Sequence, residues 1–225
     1  MRVALLSDAH VDGPDDPRQA RLVDFLERLD VDRLAVLGDL FQRWWHEGSE
    51  VFPAYVPVLR ALRRFEGRLD FCPGNHDFKA AEHLRLAFGA RVGPCLDVEW
   101  DGVRVHLAHG DGADASPGYA AASTLLRGRV FAACMRALPR DARWAVLGRL
   151  AGQPHGRPDA RLIAHQHDAA RARMRAGAQV VVYGHTHAPE LTVWPEGTYC
   201  NLGDWVGHRT WLLLDDGRPT LCREP

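Results

Sequence analysis

Lysine is almost missing from these 225 residues: Lys79 is the only one among 28 basic side chains, and the rest are arginine. Cysteine is sparse as well. The five, at 72, 95, 134, 200 and 222, are odd in number and contain no C-x-x-C pair, which argues against a disulfide framework and a thiolate zinc site. Free thiols in a reducing compartment fit that pattern. Long apolar runs are absent too: the longest unbroken one covers 130–135, far below the ~20 residues a membrane span needs. No basic leader with a following apolar stretch precedes the first strand-like run at Val3, so no signal peptide is expected and the cytoplasm is the expected location. Charge of one sign is lacking: the formal net charge is −1, which gives no overall pull toward nucleic acid, and none is expected as a partner. Neither an internal repeat nor a low-complexity tract interrupts the chain.

What is present suits one domain over 1–225, since 46% apolar residues can bury a sizeable core. Short apolar runs at 3–6, 34–37 and 69–72 alternate with helical patterns at 16–30, 51–65 and 79–88, the rhythm of a mostly parallel sheet. Strand patterns then follow at 95–100 and 103–108, split by the turn pair Asp101-Gly102, and again at 180–183, 191–194, 198–202 and 210–214. Between 113 and 177 the texture is helical. Helices are expected at 118–138, ended by Pro139, at 141–151, ended by Gly152, and at 159–176, opened by Asp159 and closed by Gly177. From 112 to 178 eleven Arg stand against four Asp, a balance of +7 that leaves −8 for the remainder. In the first of these helices Leu126, Val130, Cys134 and Leu138 recur every four residues, with Arg129 and Arg136 on another face, the mark of an amphipathic helix with a basic side.

Five of the apolar runs end in short polar clusters: Asp8-Ala9-His10, Gly38-Asp39, Gly74-Asn75-His76-Asp77, His109-Gly110-Asp111 and Gly184-His185-Thr186-His187. Loops beyond the carboxyl ends of strands in α/β sheets converge on ligands, so five such loops predict one site. They supply carboxylate, amide and imidazole groups with the chemistry of metal ligands. His165 and His167 repeat the spacing of a ligand pair but fall in a helical pattern, where i and i+2 face apart, and are read as non-ligands.

The order D-x-H, G-D, G-N-H-D, H-G-D, G-H-T-H resembles the calcineurin-like metallophosphoesterase superfamily from Asp8 to His187. Within it, Gly38-Asp39-Leu40-Phe41-Gln42-Arg43-Trp44 is similar to the G-D-L-F-E-x-W stretch of the UDP-2,3-diacylglucosamine pyrophosphatases of lipid A synthesis. The run Tyr199-Cys200-Asn201-Leu202-Gly203-Asp204-Trp205-Val206 is similar to their late Y-x-N-x-G-D-W-V stretch, and an Arg-rich helical insertion also fits. His76 stands where the best-known branch has Arg, so a branch with His in G-N-H-D is the nearer analogue.

This resemblance implies an αββα sandwich of two mixed sheets flanked by helices, with a helical lid insertion at about 113–177, and a pair of divalent metals. Asp8, His10, Asp39 and His187 would hold one ion, and Asn75, His109, His185 and the shared Asp39 the other. Mixed nitrogen and oxygen donors favour Mn²⁺, Fe or Zn²⁺ over Mg²⁺, and Mn²⁺ is expected. His76 is then free to serve the leaving oxygen, with Asp77 or Asp8 as its charge partner, and Asp111 is expected to hold a ligating His or cap a turn. Trp44, Tyr119, Arg129 and Arg136 are the candidate substrate contacts, since Arg pairs with phosphate bidentately. The implied reaction cleaves the pyrophosphate of a lipid-linked nucleotide sugar to UMP and an acylated sugar 1-phosphate, with peripheral contact at the inner face of the cell membrane. The rival readings are a broad phosphodiesterase or phosphatase of the same superfamily and a protein-binding scaffold with this fold, from which lost ligands would be expected.

Overall fold

The computed structural model describes the chain apart from residues 14, 45–51, 115 and 152–158 and the side chain of Pro117. Strands β1 (Arg2–Leu6), β2 (Arg33–Val36), β3 (Leu69–Phe71) and β4 (Arg91–Val92) run parallel and are joined by helices α1 (Pro17–Arg28), α2 (Val56–Leu62) and α3 (Ala80–Phe88). Short 3₁₀ turns at Pro53–Tyr55 and Arg63–Phe65 flank α2. The chain then builds a second sheet from β5 (Cys95–Trp100), β6 (Val103–Ala108), β7 (Val180–Tyr183), β8 (Glu190–Trp194) and β9 (Gly197–Asn201), in the order β5-β6-β7-β9-β8. It returns to the first through β10 (Thr210–Asp215) and β11 (Arg218–Arg223), completing the order β11-β10-β1-β2-β3-β4.

Alternation along the strands assigns each apolar residue to a layer. Val3 and Leu5 on β1, Ala35 on β2 and Val180 and Val182 on β7 meet between the two sheets. Ala4, Leu6, Leu34 and Val36 face the other way and pack under α1, α2 and α3, while Val181 and Tyr183 pack under a later helix, α7 (Ala160–Arg175). Strands covered on both faces must be apolar throughout, which is why β1, β2 and β7 read as unbroken runs. Helix ends follow local chemistry. Asp16 accepts from the Arg18 N–H at the start of α1 and Asp159 from the Arg161 N–H at the start of α7, while α3 ends on Gly89 at φ 60°.

Between β6 and β7 come α4 (Pro117–Arg127), α5 (Arg129–Ala137), α6 (Arg140–Ala151) and α7. The single helix expected over 118–138 is therefore two. Gly128, with φ −71° and ψ 151°, is extended, and the turn it makes removes Leu126, Val130, Cys134 and Leu138 from a common face. Val130 is 77% exposed and Cys134 is exposed, whereas Ala132 and Met135 turn inward to a small cluster with Phe78, Phe131, Leu138, Val146 and Leu147. β11 escaped the sequence pattern because Pro219 interrupts it; as an edge strand it tolerates the missing N–H. Among the described residues no helix is long and apolar enough to cross a membrane.

Truncation should separate these environments. Leu5→Ala, in the fully buried layer between the sheets, should cost about 2–5 kcal/mol in urea unfolding. Val130→Ala should stay within about 0.5 kcal/mol of the parent. A large loss at Val130 would restore the continuous amphipathic helix.

Candidate active site

All five polar clusters follow parallel strands: β1, β2 and β3 in one sheet and β6 and β7 in the other. Their ends meet at one edge of the sandwich. The turns there are tight enough to force unusual backbone: Asp8, His10, Asp39, His185 and His187 have φ between 47° and 70°, five of the eight non-glycine residues with positive φ among those described. Conformations of that kind concentrate where surrounding structure over-determines them. Two glycines permit the approach. A Cβ on Gly74 would lie 2.1 Å from Asp39 Oδ1, and one on Gly184 would lie 2.5 Å from Asp8 Oδ2.

The donor atoms converge. His187 Nε2 lies 3.2 Å from Asp8 Oδ1 and 3.3 Å from His10 Nε2, which is 3.9 Å from Asp39 Oδ2. His109 Nε2 lies 3.4 Å from the same Asp39 oxygen and 3.3 Å from Asn75 Oδ1. Asp8, His10 and His187 form one group of mutually close donors, Asp39, His109 and His185 a second, and His10, Asp39 and His76 a third. Asp39 thus stands between the two halves. The His109 ring is aimed by its Nδ1–H, which donates to the Leu37 carbonyl at 2.8 Å and leaves the Nε2 lone pair for the cluster.

Charge explains what such a cluster wants. Burial would raise both Asp39 and Asp8, yet the imidazoles of His109 and His76 hold Asp39 well below the usual carboxylate range, and His187 holds Asp8 below it. Burial would likewise lower His109 and His187, but Asp39 keeps the first well above the ordinary imidazole value and Asp8 raises the second. Burial does prevail at His10, pushed down to about 4, and at His185, lowered further by its neighbour His109. Burial, which disfavours both carboxylates, is thus opposed by the imidazoles beside them, in the space where divalent ions would do the same. Seven oxygen and nitrogen donors without thiolate, from Asp8, His10, Asp39, Asn75, His109, His185 and His187, fit a pair of divalent ions of intermediate hardness.

Asp77 does not face the His76 ring. Its buried carboxylate accepts from the N–H groups of Gly74 (3.0 Å), Asp39 (3.1 Å), Leu40 (2.8 Å) and Phe41 (3.4 Å), fixing the second and third loops against each other. Burial, with Asp39 nearby, pushes it up to about 6. The His76 ring instead donates from Nδ1 to the Gln42 carbonyl at 2.9 Å, while its backbone N–H donates to Asp39 Oδ1 at 2.9 Å. Asp111 also differs from expectation. It accepts from the Tyr119 hydroxyl at 2.7 Å and pairs with Arg127 at 3.4 Å, anchoring α4 beside the site. His167 pairs with Glu190 at 2.9 Å, away from the cluster.

A cavity of about 250 Å³ opens from Asn75 and His76 and runs under α4, α5 and α6. Trp44 and Tyr119 line it, as do Phe78, Leu126, Phe131, Leu147 and Leu150. Arg129 and Arg136 do not. Both are exposed, and the arginines on the wall are Arg127, which lies over the Phe78 ring, and Arg43. Arg43 forms a bidentate pair with Asp12, donates to the Trp144 carbonyl at 3.1 Å and stacks 4.3 Å over the Trp144 ring, tying α6 to the loop after β2. Arg43 lies within the Gly38–Trp44 stretch, and no local pattern marks Arg127. Trp45, His46 and His155 lie outside the described residues.

Residues 1–189 match the calcineurin-like phosphoesterase family. Over its whole length the chain is 28% identical to a UDP-2,3-diacylglucosamine hydrolase of Chromohalobacter salexigens, covering 97% of that protein. It is 32% identical to a UDP-2,3-diacylglucosamine hydrolase of Xanthomonas oryzae pv. oryzae over 96% of each. Among solved structures, an archaeal phosphodiesterase shares the fold, with TM-score 0.55 at 15% identity over 99% of both chains.

If the cluster takes divalent ions, Mn²⁺ at a hundred times its dissociation constant should stabilise the folded chain by about 2.7 kcal/mol per ion, read as a rise in Tm. Asp39→Ala should abolish most of that rise, and His187→Ala only part. An equal rise in Asp39→Ala would remove Asp39 from the site.

Proposed function

The chain belongs to the calcineurin-like phosphoesterase family and is a metal-dependent hydrolase, and from that premise we propose that it cleaves the pyrophosphate bond of a UDP-diacylglucosamine-like lipid nucleotide sugar, releasing UMP and the acylated sugar 1-phosphate. The observation that carries this reading is the cavity: it starts at Asn75 and His76, beside the charged cluster, and continues into an apolar cleft roofed by α4, α5 and α6. A substrate that joins a phosphate anhydride to acyl chains needs both ends of such a space.

In this reading Asp8, His10, Asp39 and His187 hold one ion, and Asp39, Asn75, His109 and His185 the other, with Mn²⁺ the proposed metal. When bound, such a pair acidifies water and screens the charge that develops on phosphoryl oxygens. The protein's own contribution is placement. Asp39 sets the separation of the two halves, the Leu37 carbonyl keeps the His109 lone pair directed inward, and Asp77 locks the two loops that carry Asp39 and Asn75. His76 handles the proton. The Gln42 carbonyl accepts its Nδ1–H whether or not Nε2 is protonated, so the proton given to the leaving oxygen departs from Nε2 while the ring stays oriented. Trp44 and Tyr119 shape the mouth of the cleft and Arg127 offers a cation at its wall.

Of the helical segment, α4, α5 and α6 act as a lid in this account. Leu125, Val130 and Leu150 stay 66%, 77% and 51% exposed on helices rich in arginine, which supports contact with the anionic inner face of the cell membrane.

The testing experiment presents purified protein and Mn²⁺ with UDP-diacylglucosamine, bis(p-nitrophenyl) phosphate and p-nitrophenyl phosphate in parallel. Replacing 118–151 by a short linker should spare the small diester and sharply reduce turnover of the lipid, because remote binding energy drives the larger substrate. Equal lipid turnover with the linker would leave a broad phosphodiesterase. His76→Ala should retain both ions yet lower kcat by roughly 10²–10⁴, with a smaller loss for p-nitrophenolate leaving groups. The same loss for every leaving group would make His76 an orienting residue only.

A further inference from the structure

One buried polar side chain on α7 plays no part in the chemistry above. Gln166 has no exposed surface. Its Nε2 donates to the carbonyls of Gly110 at 3.3 Å and Gly184 at 3.1 Å, and its Oε1 accepts from the Tyr199 hydroxyl at 3.1 Å and Asn201 Nδ2 at 3.0 Å. Both N–H donors and both acceptor positions of the amide are therefore used.

The partners are what matter. Gly110 directly follows His109 and Gly184 directly precedes His185, so the amide holds two carbonyls that are each one residue from an imidazole of the cluster. Those two rings lie 4.9 Å apart, centre to centre. Contact at Gly110 is close: its φ is 101°, and a Cβ there would sit 2.4 Å from Gln166 Nε2. On its other side the amide is held in one orientation by Tyr199 and by Asn201, which itself donates to the Gly184 carbonyl at 2.9 Å and to Thr186 Oγ1 at 2.9 Å. An apolar side chain would suffice merely to seat α7 on the sheet; Ala170 and Met174 already do so. A fixed amide with two donors aimed at two site loops does something directional.

We propose that Gln166 is a positioning residue that fixes the spacing of His109 and His185, and through it the affinity of the one ion those two imidazoles share. This rests on the two-ion reading given above. The consequence is a division within the site: the ion held by Asp8, His10 and His187 depends little on α7, and the other depends on it through a single amide.

The test uses the full chain stripped of metal and titrated with Mn²⁺ by calorimetry. Gln166→Glu keeps size and acceptor oxygen but replaces the donating NH₂ with an oxygen that faces two carbonyls. The parent should bind two ions. In Gln166→Glu one of them should weaken by about 10–100-fold, the usual cost of losing a partner behind a ligand, with the other unchanged. In a His109→Ala background, where that position is already disabled, Gln166→Glu should change nothing further. Tyr199→Phe removes only one of the hydrogen bonds that orient the amide and should weaken the same ion less, which keeps the test available if Gln166→Glu does not fold. Both ions weakened alike, or a lower Tm with both affinities intact, would overturn the proposal. A parent that binds no pair of ions would instead defeat the two-ion reading itself.

Discussion

Asp8 and Asp39 bury two carboxylates at the place where two β-sheets meet, and much of the surrounding structure exists to make that burial tolerable. An isolated buried carboxylate is costly unless it is paired or coordinated. Here the pairing comes from imidazoles delivered by loops of both sheets, so neither sheet alone could assemble the cluster. The same requirement explains the backbone. Positive φ at five site residues and glycines pressed against carboxylate oxygens are conformations the chain would otherwise avoid. They persist because the packed layer between the sheets and the Asp77 hydrogen bonds hold the loops in place.

The helices between β6 and β7 relate to this centre in two ways. α5 and α6 bring Phe131, Ala132, Met135, Val146 and Leu147 into a small cluster with Phe78, and together with α4 they roof a cleft that begins at Asn75 and His76. α7 instead packs on the second sheet and sends Gln166 into the site's supporting network. The first three are joined to the rest chiefly through side chains at the rim, Arg43 with Asp12 and Trp144, and Asp111 with Tyr119 and Arg127. That arrangement suits a hydrolase of the calcineurin-like family whose relatives act on a lipid-bearing substrate.

The sequence made the sheets and the five loops legible because β1, β2 and β7 carry unbroken apolar runs, β3 and β6 are apolar apart from Asp70 and from Arg104 and His106, and each polar cluster follows directly on its strand. β5, β6 and β7 have the bounds expected from pattern alone. The helical segment was less legible. A four-residue repeat through Leu126 and Val130 assumes a continuous helix, and one extended glycine between them rotates the second half away. Arg129 and Arg136 carry the charge expected of a phosphate contact, yet on these helices it is Arg127 that reaches the cavity wall. Asp77 and Gln166 illustrate a different limit. Apart from Gly74, their partners are backbone groups and side chains 18 or more residues away in sequence, and nothing in local periodicity marks a residue whose work is to hold other loops.

The central claim is that Asp39 stands between two ions close enough to share it. Electron paramagnetic resonance of the full chain loaded with two equivalents of Mn²⁺ tests this most directly, since ions bridged at about 3.5–4 Å are magnetically coupled. The account predicts the spectrum of an exchange-coupled pair, replaced by that of a single uncoupled ion in Asp39→Ala. A parent spectrum made only of isolated Mn²⁺ signals would contradict it.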